Sequence, residues 1–320
     1  MTDGGRSDGP RLLVVMYHYV RDTAGTAFPG LHAVSPSAFR SQIEALLARY
    51  EPATLEMALE FWSGRYRPSR DLFLLTFDDG LADHYRVVLP ILDALRVQGA
   101  FLLPTASIDS GVVLPTHQSH FLAASLGFEE YSRRLRLELG DAFAAFDATL
   151  DPAAVRAAYR WDVPEVARFK YILNRLIPES ARDLALDRVW QRAFGATPDI
   201  RREIYLDWDQ AREMQSAGMA LGGHTHTHPR LASLSEDAQR DELQRCHRSL
   251  ARELSTSARP LPFAYPFGKP GTFDARSESL VEACGFACAF ATHVGVSRAG
   301  QALFAIPRLD PKDVNDVSAA

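Results

Sequence analysis

Cysteine is scarce in this chain of 320 residues: there are three, an odd and low number that excludes a disulfide framework. Cys246, Cys284 and Cys288 read as reduced thiols. The segment 282–290 carries no histidine and no second cysteine pair, so Cys284 and Cys288 read as small buried hydrophobes rather than metal ligands. Long apolar runs are missing too, which excludes a membrane-spanning helix. Met1–Pro10 is polar and glycine-rich and lacks the apolar stretch of a secretory signal, so a loose tail over 1–10 and a cytoplasmic location are expected. Lysine and arginine do not cluster and the formal net charge is only -5, which argues against a nucleic-acid partner. No Gly-x-Ser-x-Gly elbow follows any of the chain's apolar runs, and there is no Gly-x-x-x-x-Gly-Lys phosphate loop. Serine-nucleophile hydrolysis and phosphate-loop chemistry therefore find no support.

What is present is a repeated alternation of short apolar runs and helical patterns. Leu12–Val20, Leu72–Phe77, Ala100–Leu103, Met219–Gly223, Pro262–Phe267, Phe286–Ala291 and Leu303–Leu309 read as strands or extended segments. Between them, Phe39–Arg49 has helical spacing with Ser37 in the cap region. A further helix runs to about Gln98, with Gly99 as its stop. Ser235–Leu254 and Asp274–Cys284 are helical as well. Strand followed by helix, repeated, predicts an α/β fold with a largely parallel sheet, and the count suits a barrel of about seven strands. Between Thr105 and Ile204 the rhythm breaks: Tyr131–Leu139, Pro152–Tyr159, Pro164–Leu176 and Ala181–Phe194 are all helical in pattern. The expected organisation is a barrel over 11–104 and 205–320 with a helical insertion over 105–204. That insertion reads equally as a lid or substrate-selecting wall and as a packing or dimerisation cap.

The chemistry concentrates in two segments that each follow an apolar strand. Thr76-Phe77-Asp78-Asp79-Gly80 places two carboxylates side by side, and neighbours in an extended chain face opposite ways. One carboxylate can thus bind a metal while the other faces a water beside it. In Gly223-His224-Thr225-His226-Thr227-His228-Pro229 the outer histidines are four apart, which puts both imidazoles on one side if the chain takes a helical turn. Two imidazoles and one carboxylate leave a position open on Zn²⁺ or a similar ion, the arrangement of a catalytic rather than a structural site.

These two segments resemble the metal motifs of the polysaccharide deacetylase family, the NodB-homology or carbohydrate esterase family 4 fold. Phe263-Ala264-Tyr265-Pro266-Phe267-Gly268 resembles its third motif, and Met16-Tyr17-His18-Tyr19-Val20 an early Tyr-His element of many members. The resemblance covers 11 to about 104 and 205 to about 312, and it implies a distorted (β/α)7 barrel. It further implies a metal-dependent hydrolase that removes an N-acyl group, acetyl first, from an amino sugar or sugar-containing small molecule. A non-sugar N-acyl substrate and a non-catalytic carbohydrate-binding barrel are the alternatives. Asp79, His224 and His228 would hold one divalent ion, Zn²⁺ first and Co²⁺, Ni²⁺ or Fe²⁺ otherwise. Asp78 would be the general base, and Tyr265 and Phe267 would face the substrate. The family's third motif carries an arginine where this chain has Ala264, and Arg308 in Ile306-Pro307-Arg308-Leu309-Asp310 is the expected replacement, with a surface pair to Asp310 as the plain alternative. No Leu-x-x-His follows the third motif, so the general acid is expected to be His18, with His293 as competitor.

Overall fold

A computed structural model describes residues 9–159, 162–195, 198–255 and 259–313. Residues 1–8 of the expected tail lie outside the described residues. The chain divides into two compact units, one of residues 1–22, 33–112 and 200–320 and the other of 23–32 and 113–199.

The first unit is built on seven parallel strands: β1 (Leu12–Tyr17), β2 (Glu51–Pro52), β3 (Leu72–Asp78), β4 (Gly99–Leu103), β5 (Ala220–Gly223), β6 (Pro262–Ala264) and β7 (Cys288–Phe290). Their order is β1-β3-β4-β5-β6-β7, and β2 pairs with the first residues of β3. Both edges then meet one segment. Ile306 pairs with Phe290 and Leu309 with Val15, both in parallel. The N–H of Leu309 donates to Val14 O at 2.8 Å, and that of Ala291 to Ile306 O at 2.8 Å. The ring is closed by this segment, and the fold is the distorted (β/α) barrel expected from the strand count.

Alternation along the strands separates two cores. Leu12, Val14, Leu72, Leu74, Ala100, Leu102, Ala220, Ala264, Cys288 and Ile306 gather inside, beneath the helix Leu55–Trp62. Leu13, Val15, Phe73, Leu75, Phe77, Phe101 and Phe263 pack on the other face, against Phe39 and Ile43 of the helix Pro36–Arg49 and Leu243 and Leu250 of the helix Glu236–Glu253. Covering on both faces explains why β3 reads as an unbroken apolar run. Its inward series Leu72, Leu74, Thr76 ends on Asp78 at the C-terminal mouth, where α/β barrels build their sites.

Two local readings change. The first long helix is capped by Ser35, not Ser37: Ser35 Oγ accepts from the Ala38 N–H at 3.2 Å, because Pro36 fills the first helical position. The helix ahead of β4 ends at Arg96, whose φ of 55° supplies the left-handed cap, so Gly99 is not the stop. Gly99 opens β4 instead, where a Cβ would lie 2.8 Å from the Phe77 ring.

The second unit contains no strand among its described residues, and its helices run over Pro115–Leu126, Phe128–Leu139, Asp141–Ala148, Pro152–Ala158, Pro164–Tyr171 and Glu179–Phe194. Phe169 centres one aromatic group, with Phe128, Tyr131 and Phe143 within 5.6 Å of its ring. The loop 23–32 also belongs to this unit through Phe28, whose ring lies edge-on to Phe121 at 4.7 Å. His117 and His120 lie on its first helix, ring centroids 6.2 Å apart. Among the described residues no helix of either unit is long and apolar enough to cross a membrane.

Candidate metal centre

Asp79, His224 and His228 come together at the barrel mouth, all buried, with one ligand atom of each within 4.8 Å of the others. Nε2 of His224 stands 3.4 Å and Nε2 of His228 3.5 Å from the same oxygen, Oδ1 of Asp79. Donors on a tetrahedral ion at about 2.0–2.1 Å lie about 3.3–3.4 Å apart, so the spacing and the donor chemistry suit Zn²⁺ or a similar ion. His224 Nδ1 lies 2.7 Å from the carbonyl of Ala264, and a carbonyl can only accept. The proton is thereby fixed on Nδ1 and Nε2 is left as the ligand atom. Burial alone would lower the His224 pKa, but the carboxylates of Asp79 and Asp78 outweigh it and raise it.

The backbone that achieves this is not the helical turn expected from the four-residue spacing. His224–His228 is a loop in which Thr225 (φ 62°) and His228 (φ 63°) are left-handed, and it folds back so that the two imidazoles lie 4.8 Å apart. Asp79 (φ 82°) and Phe267 (φ 63°) are left-handed as well. Four of the five non-glycine residues with positive φ among those described are thus in the site's own segments. Each costs about 1–3 kcal/mol, and such strain persists only where surrounding bonds over-determine it. Some of those bonds are visible. Thr225 Oγ1 accepts from the His228 N–H at 3.0 Å, and Leu206 N–H donates to Gly80 O at 3.1 Å, behind Asp79. His226, between the ligands, points away and its Nδ1 meets Thr105 Oγ1 at 2.8 Å.

Asp78 faces the other way, as neighbouring carboxylates on an extended chain must. Both its oxygens accept from Arg308, at 2.8 Å from Nη1 and 2.7 Å from Nη2. The guanidinium also donates to Ala291 O and Thr76 Oγ1. Burial pushes the Asp78 carboxyl up, but Arg308 and His224 outweigh it and hold it below the usual carboxylate range. Asp78 is therefore ionised at neutral pH. Arg308 is fully buried against Asp78 rather than paired at the surface with Asp310, and it is out of reach of a substrate. It stands against Asp78, where a replacement for the arginine absent at Ala264 is expected, and it offers a substrate no exposed surface.

Tyr265 is also corrected. Its ring stacks on Phe273 at 4.0 Å and its hydroxyl donates to Phe304 O, leaving it 1% exposed and without a face for a substrate. Phe267 is partly open, with its ring 5.1 Å from His228. His18 follows β1, and its Nε2 lies 4.0 Å from Asp79 Oδ2 with 41% of the side chain exposed, so it is both near the site and reachable. His293 is exposed, and its carbonyl accepts from the Arg308 N–H at 3.1 Å.

Two residues escaped the sequence reading. Glu242, on the helix Glu236–Glu253, accepts from the loop between the histidines. The signal was there: Glu242 is a charge on a seam that otherwise buries Gln239, Leu243, Cys246 and Leu250. His84 is fully buried, and its Nε2 lies 3.0 Å from the carbonyl of His18, which it supports from beneath.

His84 yields a stability prediction. Burial lowers its pKa from 6.5 to about 4. Between those values the unfolded chain binds the proton and the folded one does not, so acid favours unfolding. Its contribution is complete above pH 6.5 and lost as pH falls towards about 4, about 3 kcal/mol in all. Denaturant unfolding of His84→Gln should show a flatter pH slope in this window, and an unchanged slope would refute the assignment.

Residues 184–289 match the model of the family described as Polysaccharide deacetylase. The match carries His224 and His228 but stops short of the Asp78-Asp79 pair. No curated protein matches the chain in sequence. Among solved structures, the chain is similar to a Streptococcus pyogenes deacetylase, PplD, solved with acetate, at a TM-score of 0.60 and 16% identity over 96% of this chain and 98% of that one. It is similar to IcaB from Ammonifex degensii at a TM-score of 0.58 and 17% identity, covering 97% of each chain. A de-N-acetylase from Aggregatibacter actinomycetemcomitans gives 0.57 and 18% identity over 94% of this chain and 96% of that one. At these identities the structures show a shared fold. The family match covers residues 184–289, about a third of the chain.

Proposed function

We propose that the protein is a metal-dependent hydrolase that removes the acetyl group from an N-acetylated amino sugar, free or within an oligosaccharide. The observation that carries the reading is the division of labour between adjacent carboxylates: Asp79 meets two imidazoles while Asp78 meets Arg308. The family match and the likeness to a de-N-acetylase support the substrate class.

Asp79, His224 and His228 would hold one divalent ion, which when bound would polarise the acyl carbonyl and acidify water at neutral pH. The remaining work belongs to the chain. Asp78, ionised and held by two hydrogen bonds from Arg308, takes a proton from the water that attacks the acyl carbon. His18 gives a proton to the amide nitrogen as the C–N bond breaks, so the products are acetate and an amine. The Phe267 N–H donates to no protein acceptor among the described residues and sits on the mouth beside His228. It is available to the oxygen on which charge develops.

The reading predicts one tightly held divalent ion per chain. Chelation should abolish hydrolysis and re-addition of Zn²⁺ or Co²⁺ should restore it, while His228→Ala should bind the ion at least about tenfold more weakly. Equal metal content in wild type and His228→Ala would sink the assignment of the ligands.

A further inference from the structure

The loop that carries both histidines is grasped from behind by a carboxylate on another element. We propose that Glu242 is a positioning residue that sets metal affinity through the backbone between the two histidine ligands. The inference rests on the reading of Asp79, His224 and His228 as those ligands.

The contacts are specific to that loop. Oε2 of Glu242 accepts from the N–H of His226 at 3.0 Å and from the N–H of Thr227 at 2.8 Å. Oε1 accepts from Thr227 Oγ1 at 2.8 Å. Two successive N–H groups aimed at one point form a small anion-binding concavity, and here the anion is supplied by the chain itself. The concavity lies between the left-handed residues Thr225 and His228. A β-branched residue such as Thr225 avoids that conformation unless it is held there. Without the carboxylate, both N–H groups lose their acceptor, and the loop keeps the bonds from the Thr105 and Ala106 N–H groups to Thr225 O and His226 O and its own Thr225–His228 turn, none of which engages those two N–H groups. The loop can then relax, and the Nε2 atoms leave the 3.4 Å and 3.5 Å spacing about Asp79 that suits an ion.

Glu242 is suited to this work by its mounting. It stands on the buried face of an 18-residue helix whose neighbouring positions, Leu243 and Cys246, are packed in the barrel's outer core. Cys246 lies against the same strand end, since a Cβ added at Gly223 would meet its Sγ at 2.8 Å. Helix and loop are thus locked in register by packing on one side and by Glu242 on the other. Glu242 touches none of the ligand side chains, so its effect reaches the metal only through the loop.

The test is a chelator-competition titration with Zn²⁺ or Co²⁺ on the full chain, with the thermal midpoint of the metal-free protein and kcat at saturating metal measured alongside. Glu242→Ala should weaken metal affinity by about 10–100-fold. At saturating metal its kcat should stay within about threefold of wild type, because no group that meets substrate is removed. Glu242→Gln should restore affinity to within a few-fold. Its amide oxygen can accept both N–H bonds while its NH₂ donates to Thr227 Oγ1. A lowered midpoint with unchanged affinity would overturn the proposal, as would a Gln variant as weak as the Ala variant. Should Glu242→Ala not fold, Thr227→Val removes one of the three bonds, and it should weaken affinity by a few-fold; unchanged affinity there is equally contrary. Wild type that binds no metal would refute the metal centre itself, a result distinct from failure of the clamp.

Discussion

Replacing Asp78 by Asn should lower kcat about 10²–10⁴-fold, the range that a positioned general base contributes, while leaving the metal in place. The two halves of this expectation come from the geometry. Both oxygens of Asp78 are turned to Arg308, away from the ligand set of Asp79, His224 and His228. Asparagine keeps the shape but cannot take a proton, and its NH₂ would confront a guanidinium donor. Some loss of stability should therefore accompany the loss of rate. Metal content equal to wild type with a rate within tenfold would mean that another group takes the proton. With its carboxyl held below the usual carboxylate range by Arg308 and His224, Asp78 is in the ionised form that can take a proton.

The second large effect is expected at Arg308. Its removal, as in Arg308→Met, leaves the Asp78 carboxylate buried with no cation and should destabilise the fold by about 3–5 kcal/mol. Burial, with Arg308 no longer opposing it, would then raise the Asp78 pKa. The sign follows directly. In wild type the depressed pKa means that the stability from this pair is present above the ordinary carboxylate value and is lost as pH falls through the folded one. In the variant the group titrates nearer neutrality, so the acid limb of the rate profile should move to higher pH and activity should partly return under alkaline conditions. Denaturant unfolding measures the first effect and a pH profile the second. A variant as stable as wild type with an unmoved profile would show that Arg308 does not control Asp78. The double change Asp78→Asn with Arg308→Met should cost less stability than the sum of the two, because the partners form one unit.

Much of this site was legible in the sequence because the strand period is strict. Leu72, Leu74, Thr76 and Asp78 share one face, and so do Ile306 and Arg308 on the closing segment, which is why a residue 230 positions away meets Asp78. The opposed directions of Asp78 and Asp79 follow from the same alternation. The histidine loop was readable in its pairing but not in its shape. A spacing of four suggests a helical turn, whereas two left-handed residues do the work, and no propensity foretells a left-handed threonine. Tyr265 misled because it lies two residues before Phe267 in a site motif while its ring points into the core beside Phe273. The helices between 115 and 194 were visible in their spacing, but the expected segment of 105–204 gave no sign that the loop 23–32 packs with them. A ten-residue loop with a single aromatic anchor, Phe28, has no periodicity to read.

The central claim is hydrolysis of an N-acetyl group by this constellation, and acetate release tests it most directly. Metal-loaded wild type should be incubated with N-acetylated amino sugars, their oligosaccharides and non-sugar N-acyl amides, with Asp78→Asn as the control. The account predicts acetate and free amine in equal amounts from a sugar substrate, with release lost in the variant although its metal remains bound. No release from any N-acetylated sugar, by protein that carries its full complement of metal, would contradict it.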